Sequence, residues 1–306
     1  MSSTTLPNID VGICGAGPVG MALAVMLAKR GIAPERIALI DGKPLEAAVA
    51  DPRSIAVSWG SRLLLEEADA WPVPGTPIHE IHVSRRGYFG RSMMTRSEHK
   101  VEALGYVARY GDVVSSLASA CAKHGIKTLR PVRVQAAEEG ADCVRLFLDD
   151  GSTLDVAIAV QAEGGVFGEQ EQRAKQRDYG QTGVIARVTA SAPVPNRAFE
   201  RFTDTGPLAL LPQDGADGHG YALVWCVPPG RAAELLSLDD AAFLRELGEA
   251  FGTRLGRFTA ISPRVAFPLG LNAEAPASAR KVAIGNAAQT LHPVAGQGLN
   301  LGLRDA

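Results

Sequence analysis

A glycine-rich stretch near the N-terminus constrains this chain more than any other part of its sequence. Residues 10–14 form an apolar run typical of a short buried strand, and residues 18–30 form an apolar helix that ends in two basic residues. Between strand and helix, three glycines have the spacing G-x-G-x-x-G: Gly15, Gly17 and Gly20. In this pattern the first glycine allows a tight turn, the second admits a pyrophosphate, and the third lets the helix pack on the strand. The stretch therefore predicts a dinucleotide phosphate site at a helix N-terminus.

An acidic residue follows at the distance that such a site requires. Residues 36–40 predict a second strand, and Asp41 comes directly after it, at about the 20-residue offset of a carboxylate that binds a ribose diol. A tight turn without a ligand is the alternative, but the strand before and the helix after the glycines favour a dinucleotide. A carboxylate here repels a 2′-phosphate, so we expect FAD or NAD at this site rather than NADP.

Composition narrows the class of protein. The 306 residues are 46% hydrophobic and 21% charged, as in a soluble globular protein of one large or two ordinary domains. A net charge of −2 gives no reason to expect a nucleic-acid partner. Four scattered cysteines without C-x-x-C predict reduced thiols in a cytoplasmic protein, and we expect neither export nor a transmembrane segment. His79 and His82 point to opposite faces of a predicted strand, so no metal site is expected.

Beyond Asp41, periodicity predicts two kinds of structure. Helices are expected at residues 61–70, at 112–124 with Asp112 as cap, and at 231–236 and 239–252. Strands are expected as a pair around Arg86-Gly87, as a hairpin across Asp150-Gly151, and at 184–188, 198–202, 208–211, 221–227, 258–267 and 281–284. Residues 179–269 are rich in strands and lack strand–helix alternation, which indicates an antiparallel sheet with helices on one face.

The last part of the chain is a second loop that exposes backbone. After the strand at 281–284 it holds Pro293, Gly296 and Gly298, and a helix begins near Leu299. The start of that helix can stabilise negative charge on a flavin ring.

Three separated motifs resemble those of the aromatic-hydroxylase class of flavoprotein monooxygenases. They are the G-x-G-x-x-G stretch, Ala162-Glu163-Gly164 in place of an Asp-Gly pair, and the segment from Gly285 to Asp305. Gly285-Asn-Ala-Ala-Gln-Thr-Leu-His-Pro293 is most similar to the ubiquinone-biosynthesis hydroxylases of the 2-polyprenyl-6-methoxyphenol hydroxylase type. The resemblance implies an α/β fold, with a Rossmann-like FAD-binding domain (residues 1–75, 105–178 and 270–306) and an inserted antiparallel-sheet (α+β) substrate domain (76–104 and 179–269).

The resemblance also implies roles for individual residues. Those expected to hold FAD are Gly15, Gly17, Gly20, Asp41, Arg53, Glu163, Gly164, Asn286, Pro293, Gly296, Gln297, Gly298 and Asn300. From its chemistry alone, Arg53 suits either a phosphate or a solvated loop. Phe202, Pro207 and Pro212 are expected to shape a phenol pocket. Pro293 and His292 are the candidate catalytic residues, with a structural hydrogen bond as the alternative for His292.

The implied reaction is hydroxylation of a phenolic ring, with a polyprenyl phenol of ubiquinone biosynthesis as substrate. NADPH or NADH reduces FAD, O2 forms a flavin C4a-hydroperoxide, and the ring is hydroxylated. Two alternatives stay open: another flavin oxidoreductase on the same scaffold, and a non-catalytic flavin- or quinone-binding protein. Trp59, Trp71 and Trp225 form no Trp-x-Trp pair, which counts against a halogenase. The substrate class implies a cytoplasmic protein that associates with the inner face of the membrane or with a ubiquinone-synthesis complex.

Two features depart from the pattern of the class. Glu163 replaces the usual Asp, and Phe167 and Gln170 stand where Ser and Arg are common, which counts against pyrophosphate and pyridine-nucleotide contacts from this segment. Ala306 lies inside the helix that should run under the flavin, so we expect the sequence to be part of a longer protein.

Overall fold

The computed structural model describes residues 8–163, 178–213, 219–270, 277–289 and 296–306. The strands in these ranges are β1 (Ile9–Cys14), β2 (Ile37–Ile40), β3 (Ser54–Ser58), β4 (Gly75–Ile78), β5 (Glu80–Arg85), β6 (Arg91–Thr95), β7 (Gly105–Arg109), β8 (Thr128–Leu129), β9 (Val134–Glu139), β10 (Val144–Leu148), β11 (Thr153–Gln161), β12 (Asp178–Ala190), β13 (Arg197–Thr203), β14 (Gly206–Pro212), β15 (Gly220–Val227), β16 (Phe258–Ile261), β17 (Val265–Gly270) and β18 (Lys281–Ala283). The helices are α1 (Pro18–Lys29), α2 (Leu45–Val49), α3 (Trp59–Glu67), α4 (Arg96–His99), α5 (Tyr110–Lys123), α6 (Pro229–Ser237), α7 (Asp240–Phe251) and α8 (Gln297–Asp305).

The first structural unit is built on a parallel sheet. β1 lies between β2 and β11 and is parallel to both, and β8 and β18 extend the parallel part on either side. β1 and β2 are short apolar runs, as expected for strands that are buried on both faces. Helices α1 and α5 cover one face, and the antiparallel strands β9 and β10 fold over the other. This arrangement is the Rossmann-like fold that the glycine-rich stretch predicts.

The second unit is a sheet with the order β16-β12-β15-β14-β13-β5-β6, in which neighbours are antiparallel except β13 and β5. Along each strand, successive side chains point to opposite faces of the sheet, and one of these faces packs against α6 and α7 in an aromatic core. The core aromatics are Phe199, Tyr221, Trp225, Phe243, Phe251 and Phe258. This sheet confirms the predicted antiparallel α+β unit, and its strands come from two separate parts of the chain.

The opposite face of the second sheet meets the first unit. A small sheet, in the order β3-β7-β4, lies between them. Ile78 and Val107 of the small sheet form a buried apolar cluster with Ala198 of β13, against which Ile81 of β5 and Leu211 of β14 also pack. The two units are thus joined through one face of the second sheet. The numerical domain boundaries given above stay a prediction.

The structure corrects three predicted elements. The strand expected at 258–267 is two strands, β16 and β17, because Pro263 between them has no N–H to donate to β12. The helix expected to begin at Asp112 begins at Tyr110, and Asp112 lies in its first turn. Helix α3 begins at Trp59 instead of residue 61, with the Ser58 hydroxyl accepting a hydrogen bond from the Ser61 N–H. Within the described ranges, no helix has the length and apolar character needed to cross a bilayer.

Candidate functional site

A cleft of about 310 Å³ lies at the carboxyl ends of the parallel strands of the first unit. Ligands of open α/β sheets bind in this position. Its lining residues are Gly15, Ala16, Gly17, Pro18, Val19, Asp41, Gly42, Lys43, Ala47, Ala48, Asp51, Arg53, Ile55, Tyr110, Arg133, Ala162, Glu163, Asn286, Gly298 and Leu299. The cleft therefore brings together residues from the three motifs that are far apart in sequence.

The glycines of the first motif have different structural reasons to be glycine. Gly15 has φ +112°, and a Cβ on it would lie 2.7 Å from backbone atoms of Ala162 and Glu163. A Cβ on Gly20 would lie 2.0 Å from the Gly15 carbonyl oxygen, so Gly20 lets α1 approach the loop. Gly17 has an ordinary φ of −77°, and its Cβ would meet the Tyr110 hydroxyl at 3.5 Å as the nearest atom. The fold itself does not require glycine at position 17, whereas a ligand held against the backbone there does.

Asp41 stands beside the glycine loop and is held in place by backbone groups. Its Oδ2 accepts a hydrogen bond from the Ala16 N–H at 2.8 Å, and its Oδ1 accepts one from the Lys43 N–H at 2.8 Å. Arg130 donates to the carbonyl oxygens of Ala16 and Lys43 and lies 3.8 Å from Asp41 Oδ2. Each of these contacts fixes the loop and the carboxylate relative to one another.

Arg53 belongs to the cleft and is not a solvated loop residue. Its guanidinium forms an ion pair with Asp51, with Nη2 to Oδ2 at 2.7 Å, and lies 4.8 Å from the centre of the Tyr110 ring. Although burial opposes ionisation, hydrogen bonds from Arg53 hold the pKa of Asp51 below its usual range. Lys43 and Arg133 add two further basic side chains to the lining. Such cations suit the phosphates of a dinucleotide.

The C-terminal segment closes the cleft from the other side. Asn286 lies in a turn directly after β18, and Gly298 lies in the first turn of α8, where a Cβ would be 3.6 Å from Asn286 Oδ1. Gly296 is the N-cap residue of α8 with φ +59°, and Gln297 is the first residue of that helix. Asn300 is 4% exposed and serves as an anchor. Its Oδ1 accepts from the Ser58 N–H at 2.8 Å, and its Nδ2 donates to the carbonyl oxygens of Ala56 and Gly296.

Other predicted site residues have different positions. Gly20 and Asn300 are packed beneath the cleft and do not line it. Gly164, His292 and Pro293, and also Phe167 and Gln170, lie outside the described residues, so their roles stay predictions. Cys14 is buried, and this burial, together with the charge of Glu163, raises the pKa of its thiol to about 12. It remains a protonated core residue.

The predicted phenol-pocket residues lie on the second sheet. Phe202 pairs with Pro207 across β13 and β14, on the face that carries Ala198 and Leu211 toward the first unit. Phe202 is 41% exposed. Pro212 shares the opposite face with Leu208 and Leu210, next to the helices.

One unpredicted residue, Glu200, stands out on the same face as Phe202. It pairs with Ala209 in the middle of β13 and β14, one step beyond the cluster where Ala198 and Leu211 meet the first unit. Its Oε1 is buried and has no hydrogen-bond partner among the described residues. Burial raises its pKa from 4.5 to about 7. A carboxyl group with such a pKa can hold or release a proton near neutral pH.

Sequence spacing alone does not find Glu200, Arg130 or Tyr110. Arg130 and Tyr110 reach the cleft from far along the chain, and no local pattern marks them. Glu200 did leave a signal, because it alternates with Ala198 and Phe202 on an otherwise apolar strand face.

Comparison with known proteins identifies relatives that cover nearly all of this chain. An uncharacterised protein of Synechocystis sp. is 32% identical over 99% of this chain and 75% of its own length. The ubiquinone hydroxylase UbiL of Rhodospirillum rubrum is 32% identical over 97% of this chain and 70% of its own length. No family model matches the chain.

Solved structures share the fold. PqsL of Pseudomonas aeruginosa, a probable FAD-dependent monooxygenase, has a TM-score of 0.70 at 21% identity and covers 96% of this chain and 83% of its own. The flavin-dependent halogenase CmlS has a TM-score of 0.73 at 16% identity, over 98% of this chain and 56% of its own. Because hydroxylases and halogenases share the fold, the fold does not distinguish them.

The sequence relatives do make this distinction. UbiL is a named hydroxylase whose identity to this chain exceeds 30% over more than two thirds of its length, and the cleft combines the three motifs of the flavoprotein hydroxylases. The chain belongs to the family of FAD-dependent ubiquinone-biosynthesis hydroxylases.

Proposed function

We propose that this protein binds FAD in the cleft and hydroxylates the ring of a polyprenyl phenol with NAD(P)H and O2. The observation that carries the proposal is Gly17 at the N-terminus of α1, where neither the ordinary φ of −77° nor the 3.5 Å distance from a Cβ to the Tyr110 hydroxyl requires glycine. The residues present fit the ADP half of FAD. The free N–H groups of the first turn of α1 suit the diphosphate, and the fixed carboxylate of Asp41 suits ribose hydroxyls.

When bound, FAD supplies the redox chemistry of oxygen transfer. The chain supplies binding, orientation and proton control. Lys43, Arg53 and Arg133 balance phosphate charge, and Asn286 offers amide groups on the α8 side of the cleft. His292 and Pro293 stay candidates for the region next to the ring system.

We propose that the carboxylate of Glu200 accepts a hydrogen bond, and then the proton, from the phenolic hydroxyl of the substrate. The phenol O–H bond breaks as a new O–H bond forms on the carboxylate, and the electron pair left on the phenolic oxygen enriches the ring carbons ortho and para to it. Those carbons then accept an electrophilic oxygen atom more readily. The raised pKa of Glu200 suits a base that works near neutral pH.

The first experiment tests the cleft with a single methyl group. Gly17→Ala should leave the free energy of unfolding close to the wild-type value, because position 17 has an ordinary φ and a Cβ there would meet the Tyr110 hydroxyl at an ordinary van der Waals distance of 3.5 Å. Its affinity for FAD, measured by quenching of flavin fluorescence, should fall at least about tenfold, since the methyl group occupies the pyrophosphate position. Gly248→Ala on α7, where a Cβ meets no atom within 4 Å, is the matched control. Equal FAD affinity of Gly17→Ala and wild type would contradict the assignment.

The second experiment tests Glu200 with a phenol and its methyl ether. Above neutral pH the wild-type protein should bind the phenol roughly tenfold or more tightly than the ether, because a charge-assisted hydrogen bond is lost on methylation. Glu200→Gln should lose this preference and the hydroxylation rate while still oxidising NAD(P)H. Glu249→Gln, an exposed change of the same kind, should behave as wild type. A Glu200→Gln variant that still prefers the phenol and hydroxylates it normally would refute the role.

The same proposal includes the membrane. A polyprenyl substrate resides in the bilayer, so the protein must collect it from the membrane surface, as a peripheral protein or within a ubiquinone-synthesis complex.

Product analysis with O2, with and without halide, separates hydroxylation from halogenation.

A further inference from the structure

The turn between β5 and β6 projects two aromatic rings into solvent. Phe89 is fully exposed and Tyr88 is 64% exposed. The guanidinium of Arg85 lies 4.0 Å from the centre of the Tyr88 ring. Isolated apolar residues on a surface are ordinary, but two adjacent aromatic residues at the tip of a hairpin form a protrusion and not a groove. We call residues 85–91 the aromatic tip.

Positive charge is concentrated around the aromatic tip. Arg85, Arg86 and Arg91 flank the two rings, and residues 81–97 contain no acidic residue. Burial, together with the charges of Arg254 and Arg86, lowers the pKa of Arg201, so these cations lie close enough to repel one another. Arg86, Arg91 and Arg254 form no ion pair within the described part of the chain. A chain of net charge −2 thus carries a cluster of arginines at one end of its second sheet, with Asp204 as an acidic residue in the adjacent β13–β14 turn.

The aromatic tip adjoins the proposed substrate face. Arg85 pairs with Phe202 in the ladder between β5 and β13, and the Arg86 N–H donates to the Phe202 carbonyl oxygen at 2.8 Å. Phe202 in turn lies two residues from Glu200 on the same face. The tip, Phe202 and Glu200 therefore follow one another along the same face of the second sheet.

We propose that the aromatic tip docks the protein on a bilayer that contains anionic lipid, with Phe89 and Tyr88 at the headgroup level and the arginines against lipid phosphates. This proposal deepens the proposed function: the purpose of docking, which is to collect a substrate from the bilayer, rests on that function. Binding to the bilayer itself does not depend on it. A tyrosine combines an apolar ring with a polar hydroxyl, and an arginine combines an apolar stem with a charged head. Both therefore favour the membrane interface. A convex tip with clustered cations fits a flat anionic surface better than a protein groove.

Vesicle sedimentation tests the docking without FAD or turnover. The wild-type chain should bind phosphatidylcholine vesicles that contain phosphatidylglycerol, bind pure phosphatidylcholine much less, and lose binding as salt is raised. The double variant Tyr88→Ser, Phe89→Ser should bind roughly tenfold less. Arg86→Gln and Arg91→Gln should each reduce binding about fivefold. Val265→Ser and Arg304→Gln, exposed changes of the same chemistry elsewhere, should bind as wild type does.

A turnover comparison links docking to substrate delivery. Tip variants should hydroxylate a water-soluble phenol at the wild-type rate and lose activity only on a prenylated phenol embedded in vesicles. If the wild-type chain ignores anionic vesicles, or the tip variants bind them as well as wild type, the docking proposal is overturned. Failure of wild type to hydroxylate either phenol would instead overturn the proposed function, and vesicle binding is read independently of that result.

Discussion

At the residue scale, Glu200 is an ionisable group that the fold holds at an energetic disadvantage. Its Oε1 is buried without a partner among the described residues, and burial raises its pKa to about 7. A carboxyl group whose pKa is raised by folding stabilises the folded state most at low pH, where it is neutral in both states. This contribution is lost as pH rises from the ordinary pKa of 4.5 through about 7.

We therefore expect Glu200→Gln to change the pH dependence of stability. As the pH rises from below 4.5 to above about 7, the free energy of unfolding of the wild-type protein should fall by about 3 kcal/mol relative to that of the variant. Urea denaturation of both proteins across this range measures the difference, in which the titration of the other groups cancels. Glu249→Gln, an exposed Glu-to-Gln change on α7, is the control. A wild-type to variant difference that is constant with pH would mean that Glu200 is solvated.

At the residue level, the sequence predicts which side chains meet where they belong to one continuous segment. Gly15, Gly17 and Asp41 belong to one continuous strand–loop–helix–strand unit, so their spacing alone places them together. Arg130 is invisible to such reasoning because its contacts to Ala16 and Lys43 arise only when distant strands assemble. The environment of Glu200 depends likewise on the register of β13 with β14.

At the element scale, a buried polar side chain links α8 to the rest of the protein, beside the apolar packing of Leu303 in the core. Asn300 joins α8 to Ala56 of β3 and to Ser58, the N-cap of α3, by two hydrogen bonds, and it donates a third to Gly296, the N-cap residue of α8 itself. Close packing supports this contact, since a Cβ on Gly302 would lie 2.7 Å from a methyl group of Val19 in α1. The position of α8 relative to the cleft is thus fixed by contacts to two other helices.

Asn300→Leu should loosen this attachment. The substitution removes all three hydrogen bonds and leaves the Ser58 N–H without its acceptor, which should lower the free energy of unfolding by roughly 2–5 kcal/mol. FAD affinity should fall as well, because Gly298 and Leu299 of α8 line the cleft. Urea denaturation and flavin fluorescence measure the two effects. Arg304→Ala, an exposed change on the same helix, should alter stability by less than about 0.5 kcal/mol.

Element prediction failed at points that local pattern does not encode. Periodicity found the strands of the second sheet but joined β16 to β17, because apolar residues continue on both sides of Pro263. Ser58 rather than residue 61 starts α3, since a hydroxyl accepting from the N–H three residues later defines the cap. β3 itself was not predicted, as its side chains are mostly half-buried.

At the scale of the whole molecule, the two units meet through a small apolar cluster and a polar contact beside it. Gln213, which follows β14, is 8% exposed, and its Nε2 donates to the Ser54 hydroxyl at 2.7 Å. Ser54 neighbours Arg53, so this contact links the second sheet directly to the edge of the cleft. The orientation of the two units depends on it.

Ser54→Ala should therefore act on both units at once. The substitution leaves the buried Gln213 amide without its acceptor, which should lower the free energy of unfolding by roughly 1–3 kcal/mol. Amide hydrogen exchange should become faster in β3 and at the end of β14, while the aromatic core around Phe243 keeps its protection. Ser119→Ala, an exposed serine on α5, is the control and should change exchange in neither place. Unchanged exchange in both strands would show that the apolar cluster alone joins the units.

The global fold followed from sequence because its two patterns are distinct. Strand–helix alternation marks the first unit and alternation without helices marks the second. The contact between them could not be predicted, since Ile78, Val107 and Ala198 are ordinary apolar residues whose meeting is a tertiary event.

The interleaving of the two units sets an order of events during synthesis. The hydrogen bond between Ser58 and Asn300 spans 242 positions, and the edge of β11 stays open until β18 leaves the ribosome. The hairpins of the second sheet are complete before that moment. A nascent chain therefore folds its inserted unit first and closes its first unit last, with an unpaired strand edge exposed meanwhile. We expect production of the holoprotein to depend on chaperone capacity and on flavin supply once β18 has been synthesised, more than on the stability of the finished fold.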